Sequence, residues 1–184
     1  ERVGQTIGVD LICIKNTSGY RNKLVNAVRR AEATTRLNLA ISSDDADSVA
    51  DALKICKEKR PLIICGNEAP LDDFIKLAKD NGVPLAVTVG TLDEAAQATE
   101  KAKASGVDEV VINIKTDDIA LRIQDFTYAR RAALKKAFRP LGYPLMAFTE
   151  ESDSDLELAE AVSYVAKYAS IVIVKNTDKD FIFP

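Results

Sequence analysis

The chain has 184 residues, 47% of them hydrophobic and 29% charged, with 25 Lys plus Arg against 28 Asp plus Glu, a net charge of −3, and neither His nor Trp. A chain this long buries one sizeable core, since cores divide only beyond roughly 250 residues. The missing His excludes His-based triads, His-ligated metals and imidazole acid–base steps, and the slightly acidic balance argues against nucleic acid or an anionic membrane as the main partner.

Cys13, Cys56 and Cys65 form no Cys-x-x-Cys and have no regular spacing. An odd, sparse set of this kind reads as reduced thiols in a cytoplasmic protein, and no cofactor or metal site is expected from this segment. No apolar run reaches the roughly 18–20 residues of a membrane helix, and no signal-peptide pattern is present. Because the chain opens on Glu1 and stops on apolar residues just after a strand, it is expected to be a piece of a longer polypeptide.

In chain order, short apolar runs alternate with longer amphipathic stretches. The predicted strands are Val9–Lys15, Leu37–Ile41, Pro61–Cys65, Pro84–Val89, Glu109–Ile114, Pro144–Phe148 and Ser170–Lys175. Each is continuously apolar and bounded by Gly, Pro, Asn or Asp, the pattern of strands buried on both faces of a parallel sheet. The predicted helices between them are Tyr20–Thr35, Asp45–Lys57, Leu71–Asn81, Thr91–Ser105, Asp118–Phe138 and Ser154–Tyr168. Ser43-Asp44-Asp45 and Thr91-Leu92-Asp93-Glu94 supply capping oxygens, with Glu94 at the capping-box position. Asn81-Gly82, Ser105-Gly106 and Leu141-Gly142 stop helices, and Lys59-Arg60-Pro61 stops one with Pro alone.

Alternation with a repeat of about 25 residues implies right-handed βαβ units. An open doubly wound sheet competes with a (β/α)8 barrel. No G-x-G-x-x-G or P-loop follows any strand, and evenly spaced units suit the barrel. The fold class expected over residues 1–184 is therefore α/β, a single TIM-barrel domain incomplete in this chain, with seven strands and six full helices.

In either fold the ligand face lies at the carboxyl ends of the strands. The rim residues placed there are Lys15, Asn16, Ser18, Lys115, Glu150, Lys175 and Asn176, with Ser43, Gly66 and Asp117 among their neighbours. Three of them are lysines ending strands, and a desolvated lysine is a Schiff-base nucleophile. A strand-terminal lysine also reaches water readily, which is the commoner arrangement. Only Asp117 and Glu150 could serve such an amine as acid–base partners. Asp44/Asp45, Asp72/Asp73, Asp117/Asp118 and Glu150/Glu151 are acidic pairs, most of them at helix starts where negative charge is favoured in any case. Residues 128–136, Tyr-Ala-Arg-Arg-Ala-Ala-Leu-Lys-Lys, place their cations on the outer, solvated or partner-facing side of a helix.

Several stretches resemble the central barrel domain of the large (gamma) subunit of the corrinoid iron–sulfur protein, part of the CO dehydrogenase/acetyl-CoA synthase system of the reductive acetyl-CoA pathway. They are Glu1-Arg2-Val3-Gly4-Gln5-Thr6, Asp10-Leu11 with Lys15-Asn16-Thr17-Ser18-Gly19, and Lys59-Arg60-Pro61-Leu62. Asp125-Phe126-Thr127 with Arg130-Arg131-Ala132-Ala133-Leu134-Lys135, Leu141-Gly142-Tyr143-Pro144 and Tyr164-Val165-Ala166-Lys167-Tyr168-Ala169 follow. The resemblance implies a TIM barrel that scaffolds and docks within a methyl carrier. That carrier takes a methyl group from methyltetrahydrofolate or its pterin counterpart through a methyltransferase and passes it to acetyl-CoA synthase. It further implies a corrinoid (cobalamin) and a [4Fe–4S] cluster in flanking regions, a small (delta) subunit and a corrinoid domain as partners, and no catalytic residue in this segment. The alternative is an enzyme, either a pterin-dependent methyltransferase-like barrel or a Schiff-base lyase. An Asp-Pro-Gly turn that many relatives carry is absent after Val111–Lys115, which counts against direct pterin binding.

Overall fold

The computed structural model describes residues 8–116 and 118–182. Asp117, the motif Glu1–Thr6 and the last residues Phe183 and Pro184 lie outside the described residues. The chain divides into two compact units, 1–85 and 86–184.

In the first unit, β1 (Leu11–Lys15), β2 (Asn38–Ser43) and β3 (Leu62–Cys65) alternate with α1 (Arg21–Thr34), α2 (Ala46–Cys56) and α3 (Leu71–Asn81). The strands pair in parallel, with Cys13 opposite Ala40 and Ile41 opposite Ile63. Beyond β3, Ile63 N–H donates to the Pro84 carbonyl at 3.0 Å. Leu39, Ile41, Ile63 and Ile64 are fully buried, as are Val28, Val49, Leu53 and Phe74 on the helices. The continuous apolar runs of β2 and β3 match this burial on both faces. Asp45 caps α2, accepting from Asp47 N–H and Ser48 N–H. The Ser48 hydroxyl bonded to the same carboxylate is the main cause holding it below the usual carboxylate range.

In the second unit, β4 (Leu85–Val89, its first residue shared with unit one), β5 (Val110–Ile114), β6 (Leu145–Phe148) and β7 (Ala169–Ile173) alternate with α4 (Leu92–Ala104), α5 (Ile119–Lys135) and α6 (Ser154–Ala166). A four-residue α7 (Lys179–Ile182) follows β7. Lys115 N–H donates to the Val89 carbonyl at 2.8 Å, Ile112 lies opposite Leu145, and Phe148 opposite Ile173. The strands therefore succeed one another in chain order, the topology that βαβ alternation dictates. Asp118 and Asp153 cap α5 and α6. Thr91 caps α4, while Glu94 reaches Gly90 N–H at 2.8 Å rather than the Thr91 N–H of a standard capping box.

Among the described residues seven strands and six full helices match the count expected from the sequence, and the differences lie at the ends. β7 stops at Ile173 rather than Lys175, because the next backbone amides turn to a side chain described below. α5 stops at Lys135 rather than Phe138, where Ala137 adopts φ +52°. α2 ends at Cys56 and runs into a 3-10 turn, Lys57–Lys59, which closes not on Pro alone but at Arg60, φ +49°, whose Nε donates to the Gly82 carbonyl at 3.0 Å. Among the described residues no helix is long and apolar enough to cross a membrane.

Gly66 marks a tight approach after β3. A Cβ there would lie 1.8 Å from Asp44 Oδ1 and 3.0 Å from the Ser43 carbonyl, and Asp44 Oδ1 already accepts from Glu68 N–H. Gly66→Ala is expected to cost about 1–3 kcal/mol in urea unfolding. Adding Asp44→Ala should cost less than the two single changes together, by at least about 0.5 kcal/mol, because the clash is with the removed carboxylate.

Candidate functional site

The strongest polar organisation in the second unit follows β6 and β7. Helix α6 carries Glu157, Glu160 and Tyr164 at i, i+3 and i+7, one stripe of the helix, and that stripe is its buried face. Glu157 is 3% exposed, Glu160 2% and Tyr164 fully buried. Opposite them α5 contributes Arg122, 3% exposed. Two carboxylates and one guanidinium are thus withdrawn from water together, an arrangement tolerable only if nearly every lone pair and proton finds a partner.

They do. Glu157 Oε1 accepts from the Thr149 hydroxyl and from Lys175 N–H, both at 2.6 Å, and its Oε2 accepts from Asn176 N–H at 3.3 Å. Glu160 Oε2 accepts from the backbone amides of Glu150 and Glu151 at 2.9 and 3.1 Å, and its Oε1 accepts from the Tyr164 hydroxyl at 2.6 Å. Arg122 Nη1 donates to that same hydroxyl oxygen at 2.8 Å and to the Phe148 carbonyl at 2.9 Å, and lies 3.8 Å from Glu160 Oε1. Its Nη2 donates to the Thr116 carbonyl, and only Nε lacks a partner. The guanidinium also stands 5.3 Å above the Tyr164 ring, which packs at 5.9 Å on Phe126. Burial, with the Glu160 hydrogen bond and charge outweighing Arg122, pushes the Tyr164 hydroxyl well above its ordinary range. The carboxylates therefore hold the backbone of residues 150–151 and 175–176 and the Thr149 hydroxyl, each accepting three bonds, and both are buried away from solvent.

The residues predicted from sequence sit where expected along the chain, at or after strand ends, and only some of them meet. In the second unit Lys175 Nζ donates to the Glu150 carbonyl at 2.7 Å, and Asn176 Nδ2 to the Ser154 hydroxyl at 3.0 Å. Lys115 is exposed after β5 and joins neither. In the first unit the Ser18 hydroxyl donates to Asn16 Oδ1, and Asn16 Nδ2 reaches Ser43 Oγ at 3.5 Å. Lys15, Lys115 and Lys175 are all exposed, so none has the desolvation that a Schiff-base role requires.

Arg122, Glu157, Glu160 and Tyr164 escaped the sequence reading. Their signal was a pair of glutamates and a tyrosine recurring at the spacing of a buried stripe.

Comparison with known proteins places the chain in a family. The family model described as CO dehydrogenase/acetyl-CoA synthase delta subunit matches residues 1–184. The chain belongs to that family. The corrinoid/iron-sulfur protein large subunit of Moorella thermoacetica is 35% identical over 184 residues, all of this chain and 41% of that protein. The acetyl-CoA decarbonylase/synthase complex subunit gamma of Methanocaldococcus jannaschii is 29% identical over 150 residues, 79% of this chain and 30% of that protein. The chain thus spans about two-fifths or less of these relatives. Among solved structures, the dihydropteroate synthase of Xanthomonas albilineans in complex with 7,8-dihydropteroate superposes with a TM-score of 0.69 at 15% identity, covering 95% of this chain and 77% of that one. The Yersinia pestis enzyme with a pterine-sulfa conjugate gives 0.69 at 14%, covering 95% and 81%. At such identities the likeness establishes the fold, a TIM barrel, as expected from sequence.

Removing Arg122 leaves Glu160 buried without its cation. Arg122→Met should lower unfolding stability in urea by about 3–5 kcal/mol, whereas Glu160→Gln, which keeps shape and part of the bonding, should cost about 1–3 kcal/mol.

The thiols give a pH test. Burial, with the Asp44 charge adding to it, pushes Cys65 up to about 12. Burial likewise raises Cys13 and Cys56 to about 11. The folded state thus holds thiols that the unfolded chain ionises from its ordinary 9.0 upward. Their contribution to stability is full below pH 9 and declines between 9 and about 11–12. A thiol reagent at pH 8 should accordingly label the native protein far more slowly than the urea-unfolded chain.

Proposed function

We propose that residues 1–184 form one barrel domain that scaffolds and docks within a corrinoid iron–sulfur methyl carrier and performs no bond-making of its own. In this reading the carrier receives a methyl group from methyltetrahydrofolate or a related pterin through a methyltransferase and delivers it to acetyl-CoA synthase, in the cytoplasm. The supporting observation is the use the second unit makes of its buried charge. Glu157 and Glu160 spend their oxygens on the loops after β6 and β7, which suits a stiff surface for a partner better than a reaction centre.

In this reading the iron–sulfur cluster of the carrier belongs to a region outside this segment. Cys13 lies on β1, Cys56 ends α2 and Cys65 ends β3. Among the described residues no group of three or more Cys, His, Asp or Glu side chains converges as a metal site. A [4Fe–4S] cluster needs four such thiolates, so these three residues do not fit it.

The docking surfaces would be the strand-end residues of each unit, Asn16 and Ser18 in the first and Lys115, Glu150 and Asn176 in the second. Their partners would be a corrinoid domain and the small subunit. Size-exclusion chromatography of the protein mixed with the small (delta) subunit should give one co-eluting peak. Two separate peaks at micromolar concentration would contradict the proposal.

A further inference from the structure

The surface of the second unit at the amino ends of β6 and β7 has features that strand-end docking does not use. Residues 130–139 carry Arg130, Arg131, Lys135, Lys136 and Arg139 with no acidic residue, in a chain whose net charge is −3. The four cations of α5 and its end point outward, as does Arg139. Two cavities flank Tyr143 here. One, of about 160 Å³, is lined by Arg130, Gly142, Tyr143, Pro144, Tyr168 and Ser170, among others. Its neighbour, of about 260 Å³, is lined by Thr99, Glu100, Lys103, Arg139, Pro140 and Tyr143.

The shared wall is fixed in place. The Thr99 hydroxyl donates to the Pro140 carbonyl at 2.7 Å, Leu141 is buried beneath it, and Gly142 N–H donates to the Arg139 carbonyl at 2.8 Å. By contrast the side chains facing the smaller cavity are uncommitted. Among the described residues neither the Arg130 guanidinium nor the Tyr143 and Tyr168 hydroxyls has a hydrogen-bond or ion-pair partner. Tyr168 stands at φ +79° and is 48% exposed. The left-handed backbone there turns the chain from the end of α6 into β7 and leaves the ring facing solvent.

We infer that this surface binds an acidic, extended segment of a protein partner, one carboxylate seated between Arg130 and the two tyrosine hydroxyls and a second beside Arg139 and Lys103. A guanidinium fork matches a carboxylate in shape and charge, and exposed Tyr and Arg are the residues that carry interface energy. The smaller cavity falls below the roughly 300 Å³ of small-molecule sites and accommodates a single side chain. Two such cavities sharing one wall suit residues i and i+2 of an extended chain, roughly 6–7 Å apart on one side. Glu100 is the one acid in the lining and leaves the second cavity net positive. This binding does not depend on the carrier role and stands or falls separately from it.

The test is isothermal titration calorimetry of the native protein with an acetylated, amidated hexapeptide of alternating Glu and Ala. The controls are a Lys/Ala peptide and inorganic phosphate. Saturable binding of the acidic peptide alone is expected, weakened at least ten-fold by Arg130→Gln and several-fold by Arg139→Gln, with unfolding temperatures unchanged. Tyr168→Gly should abolish binding while raising the unfolding temperature by a few degrees, since glycine relieves the strained backbone. Three outcomes would overturn the inference: no binding heat with the acidic peptide, binding that both arginine variants leave intact, or phosphate binding as tightly as the peptide.

Discussion

Everything particular to the second unit follows from placing two glutamates on the buried face of α6 with a single arginine to balance them. An ionised carboxylate moved out of water without partners is too costly to survive in a folded protein. Glu157 and Glu160 remain buried because six donors converge on them, four from the backbone of residues 150–151 and 175–176 and two from hydroxyls. The requirement works in both directions. The carboxylates need the loop amides, and the amides, having left the strand ladders, need acceptors. The end of β7 at Ile173 is the visible result, since Lys175 and Asn176 direct their N–H groups to Glu157.

Such a network adds order more reliably than it adds net stability. Replacing a buried ion pair by well-packed apolar groups is often neutral or better, while breaking one is severe. The reason for keeping it must then lie in what it positions. In this chain that is the backbone after two successive strands, the place where barrel proteins carry their working surfaces. Glu150 and Lys175, both exposed and linked there by the 2.7 Å bond from Lys175 Nζ to the Glu150 backbone carbonyl, sit on that stiffened backbone. A rim arranged in advance loses less entropy on meeting a partner, which is the physical content of a scaffold in a carrier assembly.

The elements of the fold were legible because each was written locally. Runs such as Leu62–Cys65 are apolar at every position, Asp45, Thr91, Asp118 and Asp153 cap helices through their own side chains, and Gly82 ends α3 at φ +63°. The rim positions Lys15, Asn16, Glu150 and Asn176 were also readable, since a strand end is a local feature. What joins them was not. Glu157 and Glu160 look like ordinary surface glutamates of an amphipathic helix until Arg122, some forty residues away on another helix, is brought against them. Arg60, Ala137 and Tyr168 at positive φ were equally hidden, because residues with a Cβ carry no sequence mark of left-handed backbone, and only the turn they close reveals it.

The network's grip on the loops is open to direct observation. Native-state hydrogen exchange at the amides of Glu150, Glu151, Lys175 and Asn176 reports whether the buried carboxylates hold them. Protection well above that of an unstructured chain is predicted. Glu160→Gln should speed exchange at Glu150 and Glu151, and Glu157→Gln at Lys175 and Asn176, each by roughly ten- to a hundred-fold, as a bond to a charged acceptor worth ~1.5–3 kcal/mol requires. Exchange of these four amides at unprotected rates in the unmodified protein, or rates indifferent to either substitution, would contradict the account.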